Sequence, residues 1–207
     1  SIEGHLFLNG KKPIQHRSSY GLGEVIKAAL DNHTEHLVIS LGGIGSFDGG
    51  AGMLQALGAT FYDDEAQIVD MRKGAYLIKY IRRIDLSGVH PQLTKVNIQL
   101  MSDFSSRLYG KKSEIMQTYE SLDLSQNEAA EIDNLIWYFS ELFKNELKIA
   151  MGPIERGGAG GGIAAVLNSL YQAEILTSHE LVNQITHLEN LIQQADLIIF
   201  GEGLKEE

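Results

Sequence analysis

The stretch LVISLGGIGSFDGGAGMLQAL, Leu37 to Leu57, decides the fold because it passes from one hydrophobic pattern to another within a single turn. Leu37, Val38, Ile39 and Leu41 form a short apolar run bounded by glycine, which predicts a strand buried on both faces. Ala51, Met53, Leu54, Ala56 and Leu57 then recur at helical spacing, so Gly42 to Gly50 is the turn between strand and helix. That turn sets Gly42, Gly43, Gly45, Gly49 and Gly50 around one carboxylate, Asp48. Glycine admits positive φ and lets a ligand come close to backbone N–H groups, and the next helix begins with unpaired donors and the positive end of its dipole. The combination suits a small anion, with Asp48 set to hold a metal ion or to take a proton from a hydroxyl. A tight turn whose aspartate only caps the helix accounts for the same residues equally well.

Upstream, Ser18 or Ser19 is placed to cap a helix running to about Asn32, with Leu22, Val25, Ile26, Ala29 and Leu30 on one face. Residues 1–17 read as a short strand and turn or an expression remnant, and residues 18–207 as one α/β domain. Downstream, Ala59 to Phe61 and Gln67 to Val69 predict a hairpin over Asp63-Asp64, and Arg72, Lys73, Lys79, Arg82 and Arg83 a solvated basic face first and contact to an anionic ligand second. Val96, Ile98 and Leu100 alternate with polar residues as a strand does, and Ser102-Asp103 follows it. Ligands of α/β sheets bind at the carboxyl ends of strands, so Asp103 stands where an active-site carboxylate belongs; capping a turn is its structural alternative.

Ser125 and Glu128 form a capping box ahead of the plainest helix in the chain, about Gln126 to Lys148, with Ala129, Ile132, Ile136, Phe139 and Phe143 along its apolar stripe. Arg156-Gly-Gly-Ala-Gly-Gly-Gly162 then leads into Ile163 to Leu167, a second glycine run opening a helix. It suits either an anion or close helix packing. Thr177 to Glu180 caps another helix, and Asp196 to Phe200 predicts a buried strand. The fold class is therefore α/β, a mixed or parallel sheet with flanking helices.

A 207-residue chain with 43% hydrophobic residues can bury a substantial core. Its net charge of −10 argues against nucleic acid or an anionic membrane as partner, because those surfaces call for clustered Lys and Arg. A small anion needs only a few local donors. With no cysteine there is no disulfide or thiolate metal site, and the seven histidines show no ligand spacing on a helix face. Lacking an apolar run of membrane-spanning length or a signal-peptide pattern, the sequence reads as cytoplasmic.

GGIGSFDGGAGMLQALGA resembles the signature of the bacterial glycerate kinases, close to GGSATNDGGAGMLQALGA, and SSYGLGEVIKAAL resembles that family's TSSYGVGELILAAL at the expected distance upstream. Gly42, Gly43, Asp48, Gly49, Gly50, Ala51 and Gly52 are kept, Ser46 stands where the family has Thr, and Ile44 and Phe47 replace Ser and Asn. MSDFSSRLYG is similar to ACDVDNPLCG, with Asp103, Leu108 and Gly110 matching and Ser106-Arg107 replacing Asn-Pro. The glycine run resembles GAGAAGGLGAALL, keeping Gly158, Ala159, Gly161 and Gly162, with Arg156 in place of a glycine. Gly201-Glu202-Gly203 matches the turn TGEG. The loop resembling GASAVFGPQKGA is replaced by KKSEIMQTYESLDL, which carries Tyr119 to Leu122 in place of Gly-Pro-Gln-Lys and so loses a cationic loop.

The resemblance implies the inserted second domain of that family, whose outer Rossmann-like segments have motifs similar to PDSFKGS and ADGGEG that are absent from this sequence. It implies transfer of the γ-phosphoryl of ATP, with Mg²⁺, to a hydroxyl of D-glycerate. Asp48 and Asp103 are then the candidates for base and metal ligand, in either order, and Gly42, Gly43, Ser46, Gly49, Gly50, Gly161, Gly162 and Glu202 for the substrate and phosphate site. Phosphoryl transfer rests on positioning and charge neutralisation, which glycine turns and carboxylates supply. The substitutions carry an alternative: a catalytically diverged relative that binds a small acid or nucleotide in a regulatory role. Association into homo-oligomers stays open.

Overall fold

The computed structural model describes residues 13–43 and 45–199. Three parallel strands form the central sheet. β1 (His36–Ser40) pairs with β4 (Asn97–Met101), and β4 with β5 (Glu174–Leu176), giving the order β1-β4-β5. A second, antiparallel pair joins β2 (Thr60–Tyr62) to β3 (Arg83–Asp85). Helices α1 (Tyr20–Asp31), α2 (Ala51–Ala56), α3 (Glu114–Thr118), α4 (Gln126–Leu147), α5 (Ile163–Tyr171), α6 (Ser178–Thr186) and α7 (Leu188–Gln194) surround these sheets.

The sequence explains most of this. Ser125 Oγ accepts the Glu128 N–H while the Glu128 carboxylate accepts the Ser125 N–H, so two orphan donors at the start of α4 are satisfied reciprocally. The apolar stripe then turns Ile132, Ile136, Phe139 and Phe143 into the core. Phe139 meets Phe61 and Phe143 edge to face, with ring centroids 5.8 and 4.9 Å apart, the arrangement the ring quadrupole favours. Each such buried side chain contributes about 1.5–3 kcal/mol of transfer free energy. The same capping logic starts α6 at Thr177 and Glu180.

Several expectations need correction. β1 is an edge strand among the described residues, and Val38 is 52% exposed, so only one of its faces is buried. Continuous apolarity here reflects one packed face, on which Ile39 sits, and not two. Val25 of α1 is likewise exposed, Ile26 and Leu30 carrying the contact. Residues 196–199 form no strand, and Ile199 is 87% exposed: they pair with none of β1 to β5, so the apolar run stays unburied among the described residues. Packing also begins before Ser18, because Ile14 lies in the core and the Arg17 carbonyl accepts the Ala75 N–H, so residues 13–17 are no appended remnant. The hairpin survives in reduced form, as a Tyr62–Ile68 bridge over a turn whose donors Asp63 accepts. The basic segment is the solvated face its composition suggests, with Arg72 paired to Asp70 and Arg83 stacked on Tyr62. Among the described residues no helix is long and apolar enough to cross a membrane.

Candidate functional site

Parallel pairing puts the carboxyl ends of all three strands on one edge. Ser40 of β1 lies beside Met101 of β4, and Leu176 of β5 beside the same Met101. The chain leaves that edge as the glycine turn after β1, the Ser102 to Gly110 loop after β4, and the start of α6 after β5.

Asp48 does not point into that edge. It is 1% exposed, and its oxygens accept N–H groups of Ser19 (2.8 Å), Gly50 (3.0 Å) and Gly52 (3.1 Å) together with the Ser19 hydroxyl at 2.8 Å. Ser19 Oγ in turn accepts the Met53 N–H at 2.9 Å, so aspartate and serine together cap α2 and tie it to α1. Burial pushes the Asp48 carboxyl above its ordinary value, against the pull of these donors. A carboxylate whose acceptor positions are filled inside the protein can neither coordinate a metal nor reach a substrate proton in this conformation. The expected catalytic and metal roles of Asp48 therefore give way to the capping alternative.

The second half of the turn has a similar explanation. Gly49 and Gly161 are joined by a 2.9 Å hydrogen bond from the Gly49 N–H to the Gly161 carbonyl. A Cβ on Gly162, at φ +102°, would stand 2.8 Å from the Gly49 Cα. One on Gly49 would stand 2.9 Å from the Phe139 ring. The two glycine runs meet backbone to backbone, and Gly49, Gly50, Gly161 and Gly162 are glycines because two turns share one space, with no room left for a phosphate. The Gly161 N–H is used as well, by a carboxylate that the sequence did not single out: Glu114, at 3.1 Å. Burial raises the Glu114 carboxyl from 4.5 to about 7, with the Gly161 and Gly160 amides pulling the other way. Only its place in the first turn of α3, just after the N-cap Ser113, hinted that Glu114 sits at a junction.

The remaining candidates fare differently. Gly42 and Gly43 are exposed, nothing among the described residues lies within 4 Å of a Cβ built on either, and Gly43 has φ +69°. That open end is the part of the turn a ligand can approach. Ser46 is buried, and its hydroxyl has no hydrogen-bond partner among the described residues. Asp103 is exposed just past β4, where its Oδ1 accepts the Ser178 N–H of α6 at 2.8 Å. That bond and the nearby Arg156 guanidinium hold Asp103 below the usual carboxylate range, so it is ionised near neutrality. β1 and β4 end side by side at Ser40 and Met101, so the Gly42-Gly43 turn and Asp103 leave the sheet from the same edge. Glu202 lies outside the described residues. Among the described residues no three carboxylates or imidazoles converge on a metal position.

Comparison with known proteins matches residues 3–206 to the glycerate kinase family. A glycerate kinase of Halalkalibacterium halodurans is 31% identical over 96% of this chain and 52% of its own length. A glycerate 2-kinase of Escherichia coli is 31% identical over 90% of this chain and 48% of its own. The crystal structure of a protein assigned as glycerate kinase 2 from Salmonella typhimurium superposes with a TM-score of 0.84 at 28% identity, over 94% of this chain and 52% of that one. The chain thus spans about half the length of the relatives it matches. The three-stranded sheet, the glycine turn after β1 and the carboxylate after β4 fall within the matched region, and the chain belongs to the glycerate kinase family.

Proposed function

We propose that these residues are part of an enzyme that transfers the γ-phosphoryl of ATP to a hydroxyl of D-glycerate, and that residues 18–207, with the packed segment before them, form its inserted domain. The observation that carries this reading is Asp103, an exposed, ionised carboxylate at the carboxyl edge of the sheet, the edge from which the Gly42-Gly43 turn also leaves. Backbone amides of that turn suit a carboxylate or phosphate, and Asp103 suits the proton of the attacking hydroxyl or a share in holding Mg²⁺. Mg²⁺ binds through one or two carboxylates plus phosphate and water oxygens, so a single available aspartate fits it better than a dedicated cage does. Bound there, the ion supplies neutralisation of the phosphoryl charge. The Ser178 N–H keeps Asp103 charged and oriented, and the loop after β4 fixes its position. A cytoplasmic setting belongs to the same reading.

The test is Asp103→Asn in the full-length polypeptide, followed by coupled ADP release with D-glycerate and MgATP. Turnover should fall at least about 100-fold, the usual scale for a positioned acid–base group; unchanged turnover overturns the role. A second reading, a relative that binds without phosphorylating, draws on Glu114 filling the amides of Gly160 and Gly161. Calorimetric heat with D-glycerate or MgATP, without ADP release from the wild-type polypeptide, selects that reading instead.

A further inference from the structure

Arg156, in the second glycine run, stands at φ +55°, the left-handed region where a β-carbon is disfavoured, and the motif that this run resembles has a glycine there. Strain of this kind persists where the surroundings hold the residue and its side chain has a use. The turn that carries Arg156, residues 153–158, is bonded at both ends to the loop that follows Asp103. Arg107 Nη1 donates to the Pro153 carbonyl at 3.2 Å, and the Gly158 N–H donates to the Ser106 carbonyl at 3.3 Å. The loop is also closed on itself, the Arg107 N–H donating to the Lys112 carbonyl at 2.8 Å. The backbone under Arg156 is therefore fixed to that loop.

The side chain of Arg156 reaches the other support of Asp103. Its guanidinium meets Glu180 Oε2 at 3.5 Å, and the same oxygen accepts the Thr177 N–H at 2.7 Å and the Thr177 hydroxyl at 2.8 Å. These contacts start α6, and the next amide along, that of Ser178, is the one whose hydrogen bond Asp103 accepts at 2.8 Å. Asp103 thus lies between its own loop and the first turn of α6, and both are tied to the turn of Arg156. The attraction between the guanidinium and the Asp103 carboxylate acts in the same sense. With the Arg156 side chain 27% exposed, water screens that charge only in part.

We propose that Arg156 is a positioning residue for Asp103: it holds the first turn of α6 at a fixed distance from the loop after β4, and so keeps the Ser178 N–H against the Asp103 carboxylate. The proposal rests on the reading of Asp103 as a residue of phosphoryl transfer, and it adds a side chain that acts through Asp103. A glycine at this position relaxes the backbone and releases α6 together, so stability and turnover should separate there.

The test is Arg156→Gly in the full-length polypeptide, with Arg156→Lys beside it. Arg156→Gly should melt at the wild-type temperature or above, because relief of the positive φ offsets the loss of a partly exposed ion pair. Its kcat for coupled ADP release with D-glycerate and MgATP should nevertheless fall at least about tenfold, with KM within about twofold of wild type. Exchange of the Ser178 amide with solvent, followed by NMR, should quicken at least about tenfold in Arg156→Gly, and Arg156→Lys should restore part of both losses. In an Asp103→Asn background Arg156→Gly should lower kcat no further, since both changes act through one carboxylate. Unchanged Ser178 exchange in Arg156→Gly overturns the proposal, whatever Asp103→Asn does to turnover. A fall in kcat that comes with a lowered melting temperature and that Arg156→Lys leaves uncorrected overturns it too, as the mark of a merely structural side chain. Faster Ser178 exchange in a protein whose turnover is indifferent to Asp103→Asn upholds the positioning and removes the catalytic role of Asp103 instead.

Discussion

The Glu114 carboxylate accepts the Gly161 N–H at 3.1 Å, so the second glycine run, which reads as a cradle for an external anion, is filled by an anion of the chain itself. The contact joins α3 to the turn before α5, and that turn is bonded through the Gly161 carbonyl to Gly49. Glu114 therefore acts on the packing of both glycine runs at once.

This arrangement makes stability depend on pH in a definite direction. The Glu114 carboxyl rises from 4.5 unfolded to about 7 in the fold, because burial disfavours its charge. A group raised on folding binds its proton more tightly in the folded state, so its contribution is complete below the unfolded value and is lost as pH climbs through about 7. The loss across that window is roughly 3 kcal/mol. Asp48 and Asp133 are also raised by burial and add in the same sense, so the comparison of wild type with Glu114→Gln isolates Glu114. Urea midpoints at pH 5 and pH 8 should differ markedly in wild type and much less in the variant. Equal differences in the two proteins would rule the coupling out.

Asp48 is expected to behave as a structural residue. Asp48→Ala leaves the Ser19, Gly50 and Gly52 amides buried without their acceptor, and breaking such a network costs at least about 3 kcal/mol. Ser19→Ala removes the hydroxyl that bridges Asp48 to the Met53 N–H and should cost about 1–3 kcal/mol. Denaturant unfolding of the two variants and their double mutant should show strong non-additivity, since both act in one network. Independent, additive losses would mean the two side chains are not coupled.

The sequence revealed elements more readily than uses. Helix α4 was readable to within a residue because the Ser125–Glu128 box and the Ile132 to Phe143 stripe are local signals. Strands β1 and β4 were readable from their apolar content, but the exposure of Val38 was not, because sheet order is a tertiary fact. Among the candidate residues, Asp103 stands just past β4, where the strand-end rule puts it, whereas Asp48 is turned into its own junction. Its donors at Ser19 come from a helix about thirty residues upstream, and nothing near Asp48 in the chain shows them. Glu114 and Gly161 are farther apart still, so their contact left no pattern to read. The cations at 107 and 156 did stand out, as departures from the Pro and Gly of the motifs they resemble; the contacts they make with Pro153 and Glu180 did not.

The glycines of the first turn should divide into two classes under one substitution. Gly162→Ala forces a Cβ to within 2.8 Å of the Gly49 Cα at φ +102°. The positive φ costs a β-carbon about 1–2 kcal/mol and the overlap adds about 1–3 kcal/mol, since backbone cannot move aside as a side chain can. Gly42→Ala meets open space, and no positive φ is imposed there, so the fold should change by no more than about 0.5 kcal/mol. Thermal unfolding distinguishes the pair directly. A large loss in Gly42→Ala would mean that the open end of the turn is also packed against the fold. A neutral Gly162→Ala would mean that the two runs do not share the close contact on which the shape of this edge depends.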